Sequence, residues 1–178
     1  MVDVVSHNLF PTVVHQFTLD ISYLDKKQMI SYINEGKLKP NGMKQTEDDI
    51  HKMSYFKNFK NEIITLNKTI LDKLEYEYED ILITSMWGNL LFPSQTHSPH
   101  THSNNFLSGV FYLQSDDLSG EIEFFDPRPQ AGVLSPRIKK GIMENSNAIG
   151  FEPKDNMGLI FPSWLQHWVQ PTNSKRIS

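Results

Sequence analysis

Three of the seven histidines fall within six residues, at His97, His100 and His102. Successive residues of a β-strand point to opposite faces, so His100 and His102 can share one face while Thr101 points away. Two imidazoles placed in this way can bind one metal ion. A third ligand must come from elsewhere, and His167 is the best candidate because it ends another apolar, strand-like run. The pattern predicts a mononuclear metal site, with His100, His102 and His167 as ligands, inside a β-barrel.

The spacing leaves the identity of the metal open. A His-x-His pair with a distant third histidine also occurs in zinc hydrolases and lyases, where three neutral imidazoles hold the metal and water takes the remaining position. Three nitrogens with open positions can hold either zinc or iron. A cupin-like module that binds metal without turnover is a third hypothesis. The chain contains no cysteine, so every protein ligand must be a histidine or a carboxylate.

Neighbouring residues supply weaker candidates for the site. Glu123 and Asp126 are alternative oxygen ligands. His97 precedes Pro99, which interrupts strand geometry, so His97 is expected in a loop or behind the ligands rather than on the metal. Several aromatic residues could line a substrate pocket, although all are also typical core residues: Trp87, Trp164, Trp168, Phe124 and Phe125.

The elements that position these residues change in character along the chain. Residues 10–20 are rich in β-branched and aromatic residues, which predicts a strand, and residues 22–35 predict a helix ended by Gly36. A second helix is predicted from Thr46, with Asp49 completing an approximate capping box. Beyond residue 80 the apolar residues alternate, and short strands are predicted over residues 81–92, 106–114, 121–125, 159–161, 166–169 and 176–178.

Helices followed by many short strands predict an α+β fold, mainly β, whose β half is a sandwich or barrel with the helices packed on one sheet. At 178 residues the chain is long enough for one domain and too short for two ordinary ones. We expect one domain over residues 1–178, with a strand and supporting helices in residues 1–80 and the β core in residues 81–178.

Charge and composition exclude some partners. The net charge is −4, the pI is near 5.9, and the basic residues form no stripe, which argues against a nucleic-acid partner. The N-terminus lacks the basic flank and apolar core of a signal peptide, and no segment approaches membrane-spanning length. We therefore expect a cytoplasmic protein without a membrane partner. The oligomeric state stays open, with a homodimer among the alternatives.

An ordered set of motifs resembles the iron(II)- and 2-oxoglutarate-dependent oxygenases, specifically their prolyl-hydroxylase-like group with its small bacterial and phage relatives. His100-Thr101-His102 stands at that family's His-x-Asp motif. An apolar strand ending in Tyr-Leu follows at residues 110–113, then a Gly-containing strand at residues 119–125. Residues 158–171 carry the Phe-Pro and His-x-Val-x-Pro elements, and Arg176 follows them. The resemblance covers about residues 89–178, roughly the second half of the chain.

The resemblance implies a double-stranded β-helix, which is a jelly-roll barrel, and a dioxygenase that uses iron(II), 2-oxoglutarate and molecular oxygen. Such an enzyme makes succinate and CO2 while hydroxylating a substrate, here an unidentified small molecule or peptide. His100 and His167 would be the imidazole ligands. Arg176 would pair with the distal carboxylate of 2-oxoglutarate, helped by Ser178 on the same strand face and by the hydroxyl of Tyr112.

One position departs from the family's usual pattern. His102 replaces the carboxylate ligand, as it does in the small bacterial and phage relatives. Two histidines and a carboxylate leave one net positive charge on an iron(II) site, whereas three neutral imidazoles leave two. A dianionic cosubstrate would then neutralise the site fully. If His102 turned away from the metal, a halide or an extra water would take its place.

Overall fold

Both α-helices lie in the first half of the chain, and most strands lie in the second. The computed structural model describes residues 2–178. In that part of the chain the elements are, in order, β1 (His15–Thr18), α1 (Tyr23–Asn34), β2 (Lys37–Leu38), β3 (Lys44–Gln45), α2 (Lys57–Lys73), β4 (Asn89–Leu91), β5 (His97–His100), β6 (Leu107–Phe111), β7 (Ile122–Phe125), β8 (Ala148–Phe151), β9 (Met157–Pro162), β10 (His167–Val169) and β11 (Arg176–Ile177).

Helix α1 begins where the sequence predicts it. The Ser22 hydroxyl accepts a hydrogen bond from the Asp25 N–H at 3.2 Å and so caps the first turn. Met29 and Ile33 lie one turn apart on the same face and are buried in a cluster that also contains Ile177 of β11. The helix therefore packs on a sheet, as predicted.

The predicted start of the second helix at Thr46 is wrong. The Thr46 hydroxyl accepts the Gly88 N–H at 2.9 Å and donates to the Glu47 carbonyl at 2.8 Å. It therefore links the end of β3 to the residue before β4 and caps no helix. Two 3-10 turns, Ile50–Lys52 and Ser54–Phe56, come before α2 starts at Lys57. No helix in residues 2–178 is long and apolar enough to cross a membrane.

The strands form two antiparallel layers. One layer combines the sheets β1-β9-β6 and β11-β4-β3-β2, which are joined by a bridge between Gln114 and Ile177. The other layer is the sheet β5-β10-β7-β8. The layers pack face to face: the ring centroids of Phe124 in β7 and Phe161 in β9 are 4.8 Å apart, and both residues belong to one buried cluster. The predicted mainly β architecture with few helices is confirmed.

Several strand boundaries differ from the predictions. The strand predicted over residues 81–92 is confined to β4, and the preceding residues 81–85 run without regular structure. Strands β2, β3 and β8 were not predicted, since β2 and β3 have two residues each and β8 is interrupted by Gly150. Such short segments carry little alternation, and only their sheet neighbours hold them extended.

Candidate metal centre

Three histidines converge at one end of the β5-β10-β7-β8 sheet. His100 ends β5, His102 lies two residues beyond it, and His167 begins β10, directly opposite His100 in the strand register. Ring centroids are separated by 4.4 Å for His100 and His167, 5.0 Å for His100 and His102, and 5.2 Å for His102 and His167. One nitrogen from each ring lies within 4.8 Å of the other two, a spacing at which all three can bind one metal ion.

Backbone carbonyls fix two of these three rings. His100 Nδ1 lies 2.7 Å from the Ser98 carbonyl, and His167 Nδ1 lies 2.9 Å from the Leu165 carbonyl. Because a carbonyl only accepts hydrogen bonds, Nδ1 carries the proton in both rings and the lone pair of Nε2 is free for a metal. The His102 ring has no such partner among the described residues. Only its main chain is fixed, by donation of its N–H to the Ser163 carbonyl at 2.9 Å.

Burial favours the neutral form of His167 and His102. It lowers the pKa of His167 to about 4, and the positive charge that protonated His100 or His102 would carry acts in the same direction. Burial, followed by the charge of His100, also lowers the pKa of His102 below its ordinary value. Neutral imidazoles are the form that binds metals, so these rings need not lose a proton at neutral pH before they bind one.

The alternative oxygen ligands are engaged elsewhere. Glu123 Oε2 accepts the indole N–H of Trp168 at 2.5 Å across β7 and β10. Asp126 accepts two hydrogen bonds from the Arg128 guanidinium, at 2.9 and 2.8 Å, which hold the pKa of its carboxyl below the ordinary value. Among the residues that the structure describes, the metal-ligating cluster contains nitrogen donors alone.

A buried arginine lines the same cavity as the three histidines. Arg176 in β11 is 1% exposed, donates from Nη1 to the Gly120 carbonyl at 3.0 Å, and leaves its Nε–H without a partner. Its guanidinium carbon lies 5.3 Å from the ring centre of Tyr112, whose buried hydroxyl also has no partner. Burial raises the pKa of Tyr112 to about 12 and lowers the pKa of Arg176. A buried guanidinium stays protonated, so this pair presents a positive charge and two free donors.

The three histidines and Arg176 line one cavity of about 920 Å³, and Tyr112 is buried beside Arg176 behind the cavity wall. Arg176 and Ser178 line it, whereas Ile177 between them is fully buried on the helix side of the sheet. Arg176 and Ser178 therefore lie on the same side of this segment. The residues that combine metal-binding and carboxylate-binding chemistry in the cavity wall are His100, His102, His167, Arg176 and Ser178.

The sequence predicts His97 in a loop or behind the ligands, and the structure places it in a strand, outside the cluster of histidines that can share one ion. His97 begins β5 and pairs with Val169, while His100 pairs with His167. Three steps along β5 thus match two steps along β10, which is a β-bulge at Ser98 and Pro99. Pro99, which lacks an N–H, is typical of a bulge on an edge strand, and it was the one feature of the sequence that could have indicated this geometry. His97 lines the cavity.

The aromatic candidates separate into different positions. Trp87 lines the cavity with its ring centroid 6.1 Å from that of His102. Trp164 is 57% exposed, and Trp168 is bonded to Glu123. Phe124 is a core residue, and its ring centroid lies 5.7 Å from that of His167.

Solved structures with the same arrangement of elements include prolyl hydroxylases. The prolyl-4-hydroxylase of Pseudomonas putida is 14% identical and aligns with a TM-score of 0.65 over 93% of this chain and 89% of its own. The collagen prolyl hydroxylase of Paramecium Bursaria Chlorella virus-1, solved with 2-oxoglutarate, is 12% identical, with a TM-score of 0.59 over 92% of this chain and 91% of its own.

A prolyl hydroxylase of Trichoplax adhaerens, solved with a hypoxia inducible factor peptide fragment, is 9% identical, with a TM-score of 0.56 over 92% of this chain and 80% of its own. At these identities the likeness concerns the fold. No curated protein matches the chain in sequence. The family model described as "Putative 2OG-Fe(II) oxygenase" matches residues 85–178, more than half of the chain. The protein therefore belongs to this family of oxygenases, whose cofactors are iron(II) and 2-oxoglutarate.

Proposed function

We propose that the protein hydroxylates a substrate bound in the cavity, with His100, His102 and His167 as the iron(II) ligands. Arg176, Tyr112 and Ser178 would bind the distal carboxylate of 2-oxoglutarate. The observation that carries the proposal is the buried Arg176, whose Nε–H has no partner and which shares a cavity with the three histidines. A metal hydrolase would have no use for an arginine at this sequence spacing after His167.

The donor set fits iron(II). Imidazole nitrogen suits zinc, copper, iron and nickel alike, so the choice of metal follows from the family and from the second component of the site. Three neutral ligands leave the metal's two positive charges uncompensated, and the cluster contains no carboxylate among the described residues. A dianionic cosubstrate supplies the two negative charges that would neutralise the metal, which the protein ligands do not supply.

The other end of the cavity fits a carboxylate. An arginine Nε–H can only donate, and buried polar groups in folded proteins are almost always paired. The free donors on Arg176 and Tyr112 therefore fit an acceptor that is itself anionic. A guanidinium, a phenol and the Ser178 hydroxyl can together hold both oxygens of one carboxylate.

When bound, iron(II) and 2-oxoglutarate supply the oxygen chemistry: a substrate C–H bond, O2 and 2-oxoglutarate become a C–OH group, succinate and CO2. The residues of this chain orient the metal ligands and shield the metal position from water. The carbonyls of Ser98 and Leu165 aim two imidazoles at the metal position. The rings of Phe161 and Phe124, with centroids 4.7 and 5.7 Å from that of His167, exclude water from that side of the cluster.

The two layers would form a double-stranded β-helix, and residues 1–178 would form one domain. The bridge from Gln114 to Ile177 and the contact between Phe124 and Phe161 support this arrangement, since they connect the two sheets of one layer and then the two layers. Residues 1–80 would contribute supporting helices and strands β1, β2 and β3 to the core of residues 81–178.

The substrate would be a small molecule or a peptide. The cavity continues past the histidines along residues 81–85 and the aromatic side chains Tyr76, Trp87 and Phe106, so it has room for more than the cosubstrate. The Trichoplax adhaerens relative was solved with a peptide fragment, which favours a peptide.

The test is an anaerobic titration. Iron(II) and then 2-oxoglutarate are added to the metal-free protein, and the weak visible charge-transfer band of the chelate is recorded. We expect a band that His100→Ala abolishes and that Arg176→Ala weakens by raising the 2-oxoglutarate concentration needed to form it. Tight zinc binding with no band for the unaltered protein would contradict the proposal and favour a three-histidine zinc enzyme or a binding module.

A further inference from the structure

Four buried side-chain atoms in the described part of the chain have no hydrogen-bond partner: His51 Nδ1, His97 Nε2, Tyr112 OH and Arg176 Nε. Such atoms are rare in folded proteins, and each one needs a reason. His97 and Arg176 both line the cavity that contains the histidine cluster, and Tyr112 lies next to Arg176. Three of the four unpaired atoms therefore belong to one region, which indicates a ligand that pairs them.

The β-bulge explains why His97 is in this region. In a regular strand, residues three apart point to opposite faces, so His97 would face away from the metal if His100 faced it. The bulge places Ser98 and Pro99 outward, and both are exposed. The residues of β10 that pair with His97 and His100, namely Val169 and His167, are two residues apart and both buried. His97 and His100 therefore share the inward face of the sheet.

His97 is placed near both ends of the site without being a metal ligand. Its ring centroid is 6.4 Å from that of His100, and it lies outside the cluster of nitrogens that can share one ion. The pKa of His97 is lowered to about 4, first by burial and then by the positive charge of Arg176. His97 is therefore a neutral ring with a single N–H.

The hydrogen-bonding capacity of Arg176 decides the role of His97. A guanidinium has no acceptor, so a ligand that pairs Arg176 Nε presents an oxygen acceptor. A carboxylate offers about four acceptor sites, more than Arg176 and Tyr112 fill. A neutral imidazole beside it takes the tautomer that donates, and Nε2 is the ring nitrogen of His97 that is both buried and without a partner.

We propose that His97 is a further cosubstrate-binding residue, which donates its Nε2–H to the distal carboxylate of 2-oxoglutarate beside Arg176. This inference rests on the proposed function, because it needs 2-oxoglutarate to lie between the histidines and Arg176. Its consequence is selectivity. His97 favours 2-oxo acids that carry a second carboxylate and contributes nothing to those that lack one.

The experiment crosses two ligands with three variants. 2-Oxoglutarate is compared with 2-oxopentanoate, which has the same 2-oxo acid end and a methyl group in place of the distal carboxylate. Dissociation constants are measured anaerobically on the iron(II) protein from the charge-transfer band, together with the iron(II) affinity. The variants are His97→Phe, which keeps a ring without a donor, His97→Asn, whose amide stops short of the Nε2 position, and His97→Gln, whose amide reaches it.

We expect His97→Phe and His97→Asn to weaken 2-oxoglutarate binding roughly tenfold or more, since hydrogen bonds to charged groups are among the stronger ones. His97→Gln should retain most of the affinity. All three variants should bind iron(II) and 2-oxopentanoate as the unaltered protein does.

Unchanged 2-oxoglutarate affinity in His97→Phe and His97→Asn would overturn the inference while leaving the proposed function intact. Equal losses for both ligands, or a loss of iron(II) affinity, would overturn it in favour of a role in supporting the metal cluster. If the unaltered protein bound no 2-oxoglutarate, the proposed function would fall and the inference with it. The comparison of Asn with Gln keeps the result readable if the Phe variant does not fold.

Discussion

At the scale of single residues, the three candidate ligands are not equivalent. His100 and His167 each have Nδ1 hydrogen-bonded to a main-chain carbonyl, whereas the His102 ring has no such bond among the described residues. Partners of this kind fix ring orientation, and their loss typically costs about 10- to 100-fold in metal affinity. The His102 ring is therefore less ordered before a metal binds, and part of the free energy of its metal bond is used to order it.

We expect the loss of metal affinity in His102→Ala to be about tenfold smaller than in His100→Ala or His167→Ala. The reason is that the two anchored rings remain aimed at the metal. The measurement is an anaerobic titration of each variant with cobalt(II), followed by its visible absorption. His102→Asp is the matched comparison. It introduces the carboxylate of the more usual ligand set and should bind divalent metal at least as tightly as the unaltered protein. A loss in His102→Ala as large as that in His167→Ala would contradict this ranking.

Tyr112 has an unpaired hydroxyl in a fully buried position, which is a cost to the protein without its cosubstrate. A buried polar group without a partner costs about 1–3 kcal/mol. Tyr112→Phe should therefore leave the free energy of unfolding of the ligand-free protein unchanged or raise it by up to about 1 kcal/mol. The same substitution should weaken 2-oxoglutarate binding by roughly tenfold.

Urea denaturation and anaerobic 2-oxoglutarate titration measure these two effects separately. A marked destabilisation together with unchanged 2-oxoglutarate affinity would identify Tyr112 as a core residue only.

At the scale of structural elements, Arg176 depends on how closely two main chains approach. The Gly120 carbonyl accepts the Arg176 Nη1–H, and a Cβ built on Gly120 would lie 2.1 Å from the Gln170 carbonyl oxygen. This contact is with main chain, which cannot swing aside as a side chain can. A side chain at residue 120 would push the segment before β7 away from residue 170 and displace the carbonyl that holds Arg176 in place.

We expect Gly120→Ala to lower the free energy of unfolding by about 1–3 kcal/mol, as overpacked positions do. His100 and His102 are on another segment, and the Leu165 carbonyl anchors His167, three residues before Gln170. Metal affinity should therefore fall less than 2-oxoglutarate affinity does. Gly132→Ala is the matched control, since a Cβ at that glycine meets no atom within 4 Å. If Gly120→Ala matched Gly132→Ala in both stability and 2-oxoglutarate affinity, the close approach at Gly120 would have no role in holding Arg176.

At the scale of the whole molecule, the buried imidazoles connect pH with stability. Burial lowers the pKa of His167 to about 4, while a histidine in an unfolded chain titrates near its ordinary value of 6.5. Between these two values the unfolded state binds a proton that the folded state does not. Unfolding is therefore favoured as the pH falls, and the stability contributed by neutral His167 is fully present above the unfolded pKa.

For the metal-free protein, we expect the free energy of unfolding to be level above about pH 7 and to fall by about 3 kcal/mol towards pH 4 on account of His167 alone. His97, whose pKa is lowered to about 4 by burial and Arg176, acts in the same direction. Urea denaturation across this pH range gives the slope. His167→Gln should reduce that slope, and an identical slope in the variant would show that His167 is not the titrating group.

Local features of the sequence were enough to select the three candidate metal ligands and to predict much of the framework. Residue types and spacing selected His100, His102 and His167, and these rings do lie together. The helical pattern over residues 22–35 and the stop at Gly36 predicted α1, and helix caps and helix faces depend on residues only three or four positions apart. Their physical basis lies within a few residues of chain, so no knowledge of the fold was needed.

Only the tertiary structure determined which polar groups are free. Thr46 looks like a helix cap, but a glycine 42 residues later supplies its hydrogen bond. Glu123 looks like a metal ligand, but Trp168 on the neighbouring strand binds it. His97 faces the cavity because three steps along β5 match two steps along β10. In each case the partner is distant in sequence, and the energy of pairing a buried group outweighs the local preference that the sequence displays.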